Sequence, residues 1–281
     1  MMAEIVGAYF TSHVPAIGGA IARGDQQSDY WKPFFDGFPS VRKWIEEVKP
    51  DVAVVFSNDH GLNFFLDAMP TFAVGAAATY ENADEGWGLP VYNPFQGHPE
   101  LSWHVIDELI GSEFDVTTCQ KMLVDHAVSI PFELAYPDQE AWPVKLLPIS
   151  INTVQFPLPS PKRCLALGRA VNRALRSWKG AERILIVGTG GLSHQLEGER
   201  AGFMNPDYDK FCLDNLAANP DALTGHSVEE VAELAGTQGV EILNWIAARG
   251  ALGDISLAEV TRNYHIPISN TAAASLVLEP A

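Results

Sequence analysis

RILIVGTGGLSH (residues 183–194) is an unbroken apolar run that gives way to paired glycines and ends on His194. Two earlier stretches repeat its form: EIVGAYFTSH (residues 4–13) and DVAVVFSNDH (residues 51–60). Short, near-continuous apolar runs of this kind read as parallel strands buried on both faces. Each is followed, a few residues past its end, by a histidine: His13, His60 and His194. In an open α/β sheet, ligands bind in the crevice at the carboxyl ends of the strands. One placement used three times therefore brings together imidazoles that are far apart in the chain.

Outward from these runs, strand-like and helix-like stretches alternate, which predicts an α/β sandwich with helices on both faces of the sheet. TFAVGA, FDVTTCQ and VKLLPISIN read as further strands, and VRKWIEEVK, LSWHVIDELIG and KRCLALGRAVNRALRSW as helices. Two strand-like pieces, LAEVTRNYHI and AAASLVLE, lie either side of a turn at Pro267–Thr271. The connection through YENADEGWGLPVYNPFQG is too rich in Gly, Pro, Asn and Asp for a regular element, and long loops in compact domains are usually functional. With 281 residues, 47% of them apolar, and no repeat or linker, one domain over residues 1–281 is expected.

A formal charge of −17 disfavours nucleic acid and anionic membrane as partners. Cys119, Cys164 and Cys212 have no CxxC spacing, so neither a disulfide framework nor a thiolate metal cage is expected. With no secretory leader pattern and no segment of membrane-spanning length, a cytoplasmic location is expected.

Neutral imidazole is a ligand for iron, zinc, copper or nickel, and a histidine with a pKa near its ordinary value of about 6.5 can instead carry a proton. Two histidines and a carboxylate make the facial arrangement that leaves open positions on non-haem Fe(II). Several acids are available. Asp59 precedes His60, Asp125 precedes His126, and Glu197 lies three residues past His194. Glu100 forms an HxE with His98, but there it reads better as an exposed acid in the first turn of a Pro-marked helix. Glu241 lies among Val240, Ile242, Leu243, Trp245 and Ile246, apolar company for an ionised group. Periodicity nevertheless favours a solvent-facing stripe of Glu241, Asn244 and Ala248.

SHVPAIG around His13, SNDHG at His60, VDHAVSIPFEL at His126, GTGGLSHQLEGERAGF at His194, GVEILNW at Glu241 and YHIPISNTAAA near the end form an ordered set over nearly the whole chain. Together they resemble the class III (LigB-type) extradiol ring-cleavage dioxygenases. The resemblance implies a LigB-like α/β fold with a central mixed sheet flanked by helices on both faces. It implies Fe(II) held by His13, His60 and Glu241, His194 as the active-site acid/base, and His126 as a second histidine beside the substrate hydroxyls. Ser269 and Asn270 match the region that contacts the substrate carboxylate, although a Ser-Asn pair is also ordinary turn chemistry. The implied reaction is O2-dependent extradiol cleavage of a catecholic acid in aromatic-compound catabolism. Protocatechuate, opened at its 4,5 bond to 4-carboxy-2-hydroxymuconate semialdehyde, is expected first, with gallate or another 3,4-dihydroxybenzoate behind it. A separate small alpha subunit in an α2β2 assembly is the expected partner. The alternatives are a metal-free LigB-like interaction protein and a zinc hydrolase with a metal-held water.

Overall fold

The computed structural model describes residues 3–86, 88–90, 92–137 and 139–281. Eleven strands are present among them: β1 (Glu4–Thr11), β2 (Val52–Ser57), β3 (Phe72–Gly75), β4 (Thr79–Asn82), β5 (Phe95–Gln96), β6 (Thr117–Cys119), β7 (Leu123–Val124), β8 (Lys145–Ile151), β9 (Arg183–Thr189), β10 (Leu257–Ile268) and β11 (Thr271–Pro280). The α-helices are α1 (Pro15–Arg23), α2 (Lys32–Phe35), α3 (Phe38–Val48), α4 (Pro99–Gly111), α5 (His126–Ala135), α6 (Pro161–Ser177), α7 (Pro206–Ala218), α8 (Val228–Ala235) and α9 (Ile242–Ala251). No helix among the described residues is long and apolar enough to cross a membrane.

Eight strands form one mixed sheet in the order β10-β11-β1-β9-β2-β8-β3-β6. The strands that carry His13, His194 and His60 at their ends are neighbours, because β9 pairs in parallel with β1 on one side and β2 on the other. Adjacent strands lie about 4.8 Å apart, so the three carboxyl ends span about 10 Å. β11 pairs antiparallel with β1, and β3 antiparallel with β8, which makes the sheet mixed.

The period-2 alternation of β1 sorts its side chains onto two cores. Ala8 and Phe10 pack with the helices α4, α6, α7 and α9. Tyr9 packs on the opposite side with α1, α3 and α5. Helix α9 is buried along its whole length and seats on α6, where a Cβ at Gly168 would collide with the Ala247 carbonyl. Only glycine permits that approach, and the approach sets how far the start of α9 reaches towards the strand ends.

The connection expected to lack regular structure carries short strands at its two ends. β4 and β5 pair antiparallel, and β4 also pairs in parallel with β7, Glu81 opposite Leu123 and Asn82 opposite Val124. Trp87 and Val91 of this connection lie outside the described residues. His98 caps α4 by accepting from the Leu101 N–H, and Glu100 is exposed in that helix's first turn, as the helix-start reading expects.

Candidate metal centre

At the carboxyl ends of β1, β2 and β9 the chain leaves the sheet and places His13, His60 and His194 around one carboxylate. His13 Nε2 lies 3.4 Å and His60 Nε2 3.6 Å from Glu241 Oε1, and His194 Nε2 lies 3.9 Å from Glu241 Oε2. Glu241 ends a short 3-10 turn (Gly239–Glu241) that runs into α9, and it is buried. The expectation of a solvent-facing stripe is corrected here, since Glu241, Asn244 and Ala248 are all buried. Periodicity assumes one wet helix face, and α9 has none because α6 and the sheet cover it.

Glu241 is held by donors from two strand ends. The Gly191 N–H donates to Oε2 at 2.8 Å, and Asn58 Nδ2 donates to Oε1 at 3.2 Å. A Cβ at Gly190, whose φ is +123°, would stand 2.8 Å from the Glu241 Cβ, so glycine is required there on both grounds. Asn244 Nδ2 donates to Asn58 Oδ1 and to the Thr189 carbonyl, each at 3.0 Å, and Trp245 Nε1 donates to the Gly190 carbonyl. One turn of α9 thus joins the ends of β2 and β9. Neither Asn58 nor Asn244 stands out as a site residue in the sequence: Asn58 sits in the polar SNDHG exit from β2, and Asn244 is a lone polar side chain among the apolar residues of α9.

Asp125, the acid that precedes His126, is buried. Its Oδ1 caps α5 by accepting from the Ala127 N–H at 2.9 Å. Its Oδ2 accepts from the His60 backbone N–H at 3.0 Å and from His60 Nδ1 at 2.9 Å. Because a carboxylate only accepts, Nδ1 carries the hydrogen, and a neutral His60 must turn a bare Nε2 towards Glu241. These two acceptors face each other across 3.6 Å; Asn58 Nδ2 lies 3.2 Å from each and can donate to both, and a metal cation or a proton held there would bridge them directly. Burial opposes charge on His60, but Asp125 and Glu241 outweigh it and hold the imidazole well above its ordinary pKa. Burial likewise opposes the Glu241 carboxylate, yet His13, His60 and His194 hold it well below the usual range. His13 goes the other way, lowered mainly by burial, with Nδ1 beside Thr189 Oγ1 at 3.1 Å. A donor set of imidazoles and one carboxylate, oriented by outer carboxylate and hydroxyl partners, fits a transition-metal ion.

His126 joins the cluster, its ring centroid 4.1 Å from that of His60 and 5.3 Å from that of His13. One nitrogen each of His13, His60 and His126 lies within 4.8 Å of the others, so proximity alone also admits a three-histidine set. Glu241 could serve as the third partner instead, since its carboxylate carries negative charge that a divalent cation would balance and lies against both His13 and His60. His194 donates from Nδ1 to the Leu192 carbonyl at 2.9 Å, which leaves Nε2 for the cavity. Asp59 serves its own loop, since both its oxygens are occupied by backbone N–H groups of residues 61–64 and by Asn63.

The cluster forms the floor of a cavity of about 620 Å³. Val14, Pro15, Ala16, Val154, Phe156 and Leu196 give it apolar walls, and Ser269, Thr271, Gln238 and Glu197 add polar groups. An aromatic ring with vicinal polar groups suits such a space. Ser269 lines the cavity; Asn270 is exposed in the same turn and is not among its described lining residues.

Residues 7–274 match the family described as the catalytic LigB subunit of aromatic ring-opening dioxygenase. Gallate dioxygenase of Pseudomonas putida is 38% identical over 197 residues, which cover 70% of this chain and 57% of that enzyme. The 2,3-dihydroxyphenylpropionate/2,3-dihydroxicinnamic acid 1,2-dioxygenase of a Rhodococcus species is 27% identical, with 90% of this chain and 91% of the relative covered. A crystal structure of an uncharacterized protein from Escherichia coli superimposes with a TM-score of 0.59 at 16% identity, covering 97% of this chain and 99% of the other. That likeness concerns the fold.

Proposed function

The chain belongs to the LigB family of aromatic ring-opening dioxygenase catalytic subunits, and on that premise we propose that it is an Fe(II)-dependent extradiol dioxygenase acting as one catalytic domain. The observation that carries the reading is the convergence of His13 and His60 on Glu241, with His126 and His194 beside them. His13, His60 and Glu241 would hold the iron. When bound, it would bring the catechol oxygens and O2 together and pass electrons from ring to oxygen.

The remaining work belongs to the protein. His194 Nε2 accepts a proton as the catechol binds and returns it when the ring opens, while its Nδ1–H stays on the Leu192 carbonyl and keeps the ring in register. His126 meets the second hydroxyl. The apolar walls exclude water from the ring, and Ser269, with Asn270 next to it in the same turn, is the side of the cavity that would meet the ring's acidic substituent.

Protocatechuate is the first substrate, on the strength of the motifs at His13, His60, His126, His194 and Glu241. Gallate is the second, supported by the similarity to gallate dioxygenase. Val154, Phe156 and Leu196 line the cavity and are 50%, 51% and 54% exposed, so the mouth presents apolar surface for a cover. A small alpha subunit in an α2β2 assembly fits that place. The unpaired Cys119, Cys164 and Cys212 accord with a reducing cytoplasm.

The test is anaerobic loading with Fe(II) or Zn(II), then O2 uptake and formation of the yellow ring-opened product with protocatechuate, gallate and catechol. The assay is run with and without a candidate small subunit. Turnover that needs both Fe(II) and O2 is expected. Activity with Zn(II), or none with any catechol in either assembly, would refute the reading.

A further inference from the structure

Glu85 lies in the connection between β4 and β5, flanked by the exposed Asp84 and Gly86, yet its own side chain is only 10% exposed. It is turned inward onto His126. Glu85 Oε1 accepts from the His126 backbone N–H at 2.8 Å, and Oε2 accepts from His126 Nδ1 at 2.6 Å. The pattern repeats that of Asp125 on His60: a largely enclosed carboxylate takes both the backbone N–H and Nδ1 of one site histidine.

The placement follows from strand register. Asn82 pairs with Val124, and the Ala83 N–H donates to the Val124 carbonyl at 2.8 Å, so the two chains leave the ladder side by side. Asp84 Oδ1 then accepts from the Gly86 N–H at 3.0 Å, a tight turn with Glu85 at its centre. Three residues beyond Asn82 on one chain and two beyond Val124 on the other, Glu85 meets His126.

We propose that Glu85 is a positioning residue for His126, fixing its Nδ1–H tautomer so that a bare Nε2 faces the cavity as a hydrogen-bond acceptor. An ionised carboxylate cannot donate, so Nδ1 must carry the hydrogen, and in the neutral ring Nε2 is then bare. The second oxygen is occupied by the backbone N–H, so the carboxylate cannot rotate to release the ring. Nε2 is then the nitrogen left for a substrate hydroxyl. The loop that contains Glu85 thereby becomes part of the site. The consequence for turnover rests on the ring-cleavage reading; the tautomer does not.

The test compares Glu85→Gln, Glu85→Ala and Glu85→Asp with the wild type in the full chain. Long-range 15N–1H spectra of histidine-labelled, metal-free protein read the His126 tautomer, the signal being assigned by its loss in His126→Gln. The wild type should show Nδ1–H with a bare Nε2. Glu85→Ala should show a mixture of tautomers, and Glu85→Gln, nearly the same shape, should shift towards Nε2–H because its amide can donate to Nδ1. With Fe(II) loaded, both should keep stoichiometric iron, lose about 10- to 100-fold in kcat/KM for the catechol, and be partly rescued by Glu85→Asp. An unchanged His126 tautomer in the folded Gln and Ala variants would overturn the proposal and leave Glu85 a loop anchor. If the wild type cleaves no catechol, the ring-cleavage reading fails and the tautomer spectra still decide the role of Glu85.

Discussion

Replacing Asp125 by Asn or Ala separates two roles that one buried carboxylate combines. Oδ1 caps α5 at the Ala127 N–H, and Oδ2 holds both the backbone N–H and Nδ1 of His60. In Asp125→Ala the lost cap costs about 1 kcal/mol. Each of the two orphaned His60 donors adds about 1 kcal/mol, the low end of the range because the His60 side chain is 27% exposed and water can reach it. The loss of stability is therefore about 3 kcal/mol. Asp125→Asn differs in kind. With the amide oxygen kept on the cap, the amide nitrogen faces His60 and can only donate. A neutral imidazole must then accept at Nδ1 and move its hydrogen to Nε2, the atom that faces Glu241. That tautomer cannot bind a metal without first giving up the proton. Loss of such an orienting partner weakens metal binding about 10- to 100-fold, equivalent to about 1.4–2.8 kcal/mol. Urea titration of the metal-free variants measures the first quantity, and anaerobic competition for Fe(II) against a chromophoric chelator measures the second. Folded Asp125→Asn that binds Fe(II) as tightly as the wild type would refute the claim that Asp125 sets the metal-binding tautomer of His60.

Glu241→Ala should fold but fail to retain stoichiometric Fe(II) in metal analysis, whereas His194→Phe should keep the iron and lose about 10²- to 10⁴-fold in turnover; iron retained in the first, or turnover retained in the second, contradicts the assigned role. Asn244→Leu leaves the Thr189 carbonyl and Asn58 Oδ1 without a donor at a fully buried position, and should cost about 2–4 kcal/mol with a matching fall in the urea midpoint. In the metal-free chain the raised His60 pKa makes its contribution to stability complete below about pH 6.5 and lost as pH rises through the folded value. The depressed Asp125 carboxyl, held down by His60 against the effect of burial, contributes above about pH 3.9 and loses that contribution on acidification. Urea midpoints from pH 4 to 9 should therefore fall on the alkaline side in the wild type and flatten in Asp125→Asn; equal slopes in the two would contradict the pairing.

The sheet was legible because its central strands are buried on both faces, and such strands must be written as continuous apolar runs. EIVGAYF, DVAVVF and RILIVG emerged as β1, β2 and β9, side by side and parallel. The short strands β4, β5 and β7 were not legible. Each is only two to four residues long, and the pairing of β4 with β7 joins residues about forty apart rather than following any local pattern.

By itself the sequence determined that three histidines stand at strand ends and share one rim, because strand burial and sheet topology leave that rim as the place where the chain exits. The recognised motifs also singled out Glu241 and His126. Only the tertiary structure decided what surrounds each of them. Helical periodicity turned Glu241 towards solvent, since it cannot register what packs on that face; the ends of β2 and β9 cover it, with Gly190 against the Glu241 Cβ and Gly188 against Ala248. Glu85 carries no local signal at all, being one acid in a polar loop. Its role comes from the ladder between β4 and β7, which sets it down beside His126, and registers between distant segments are written in packing rather than in any single stretch of chain.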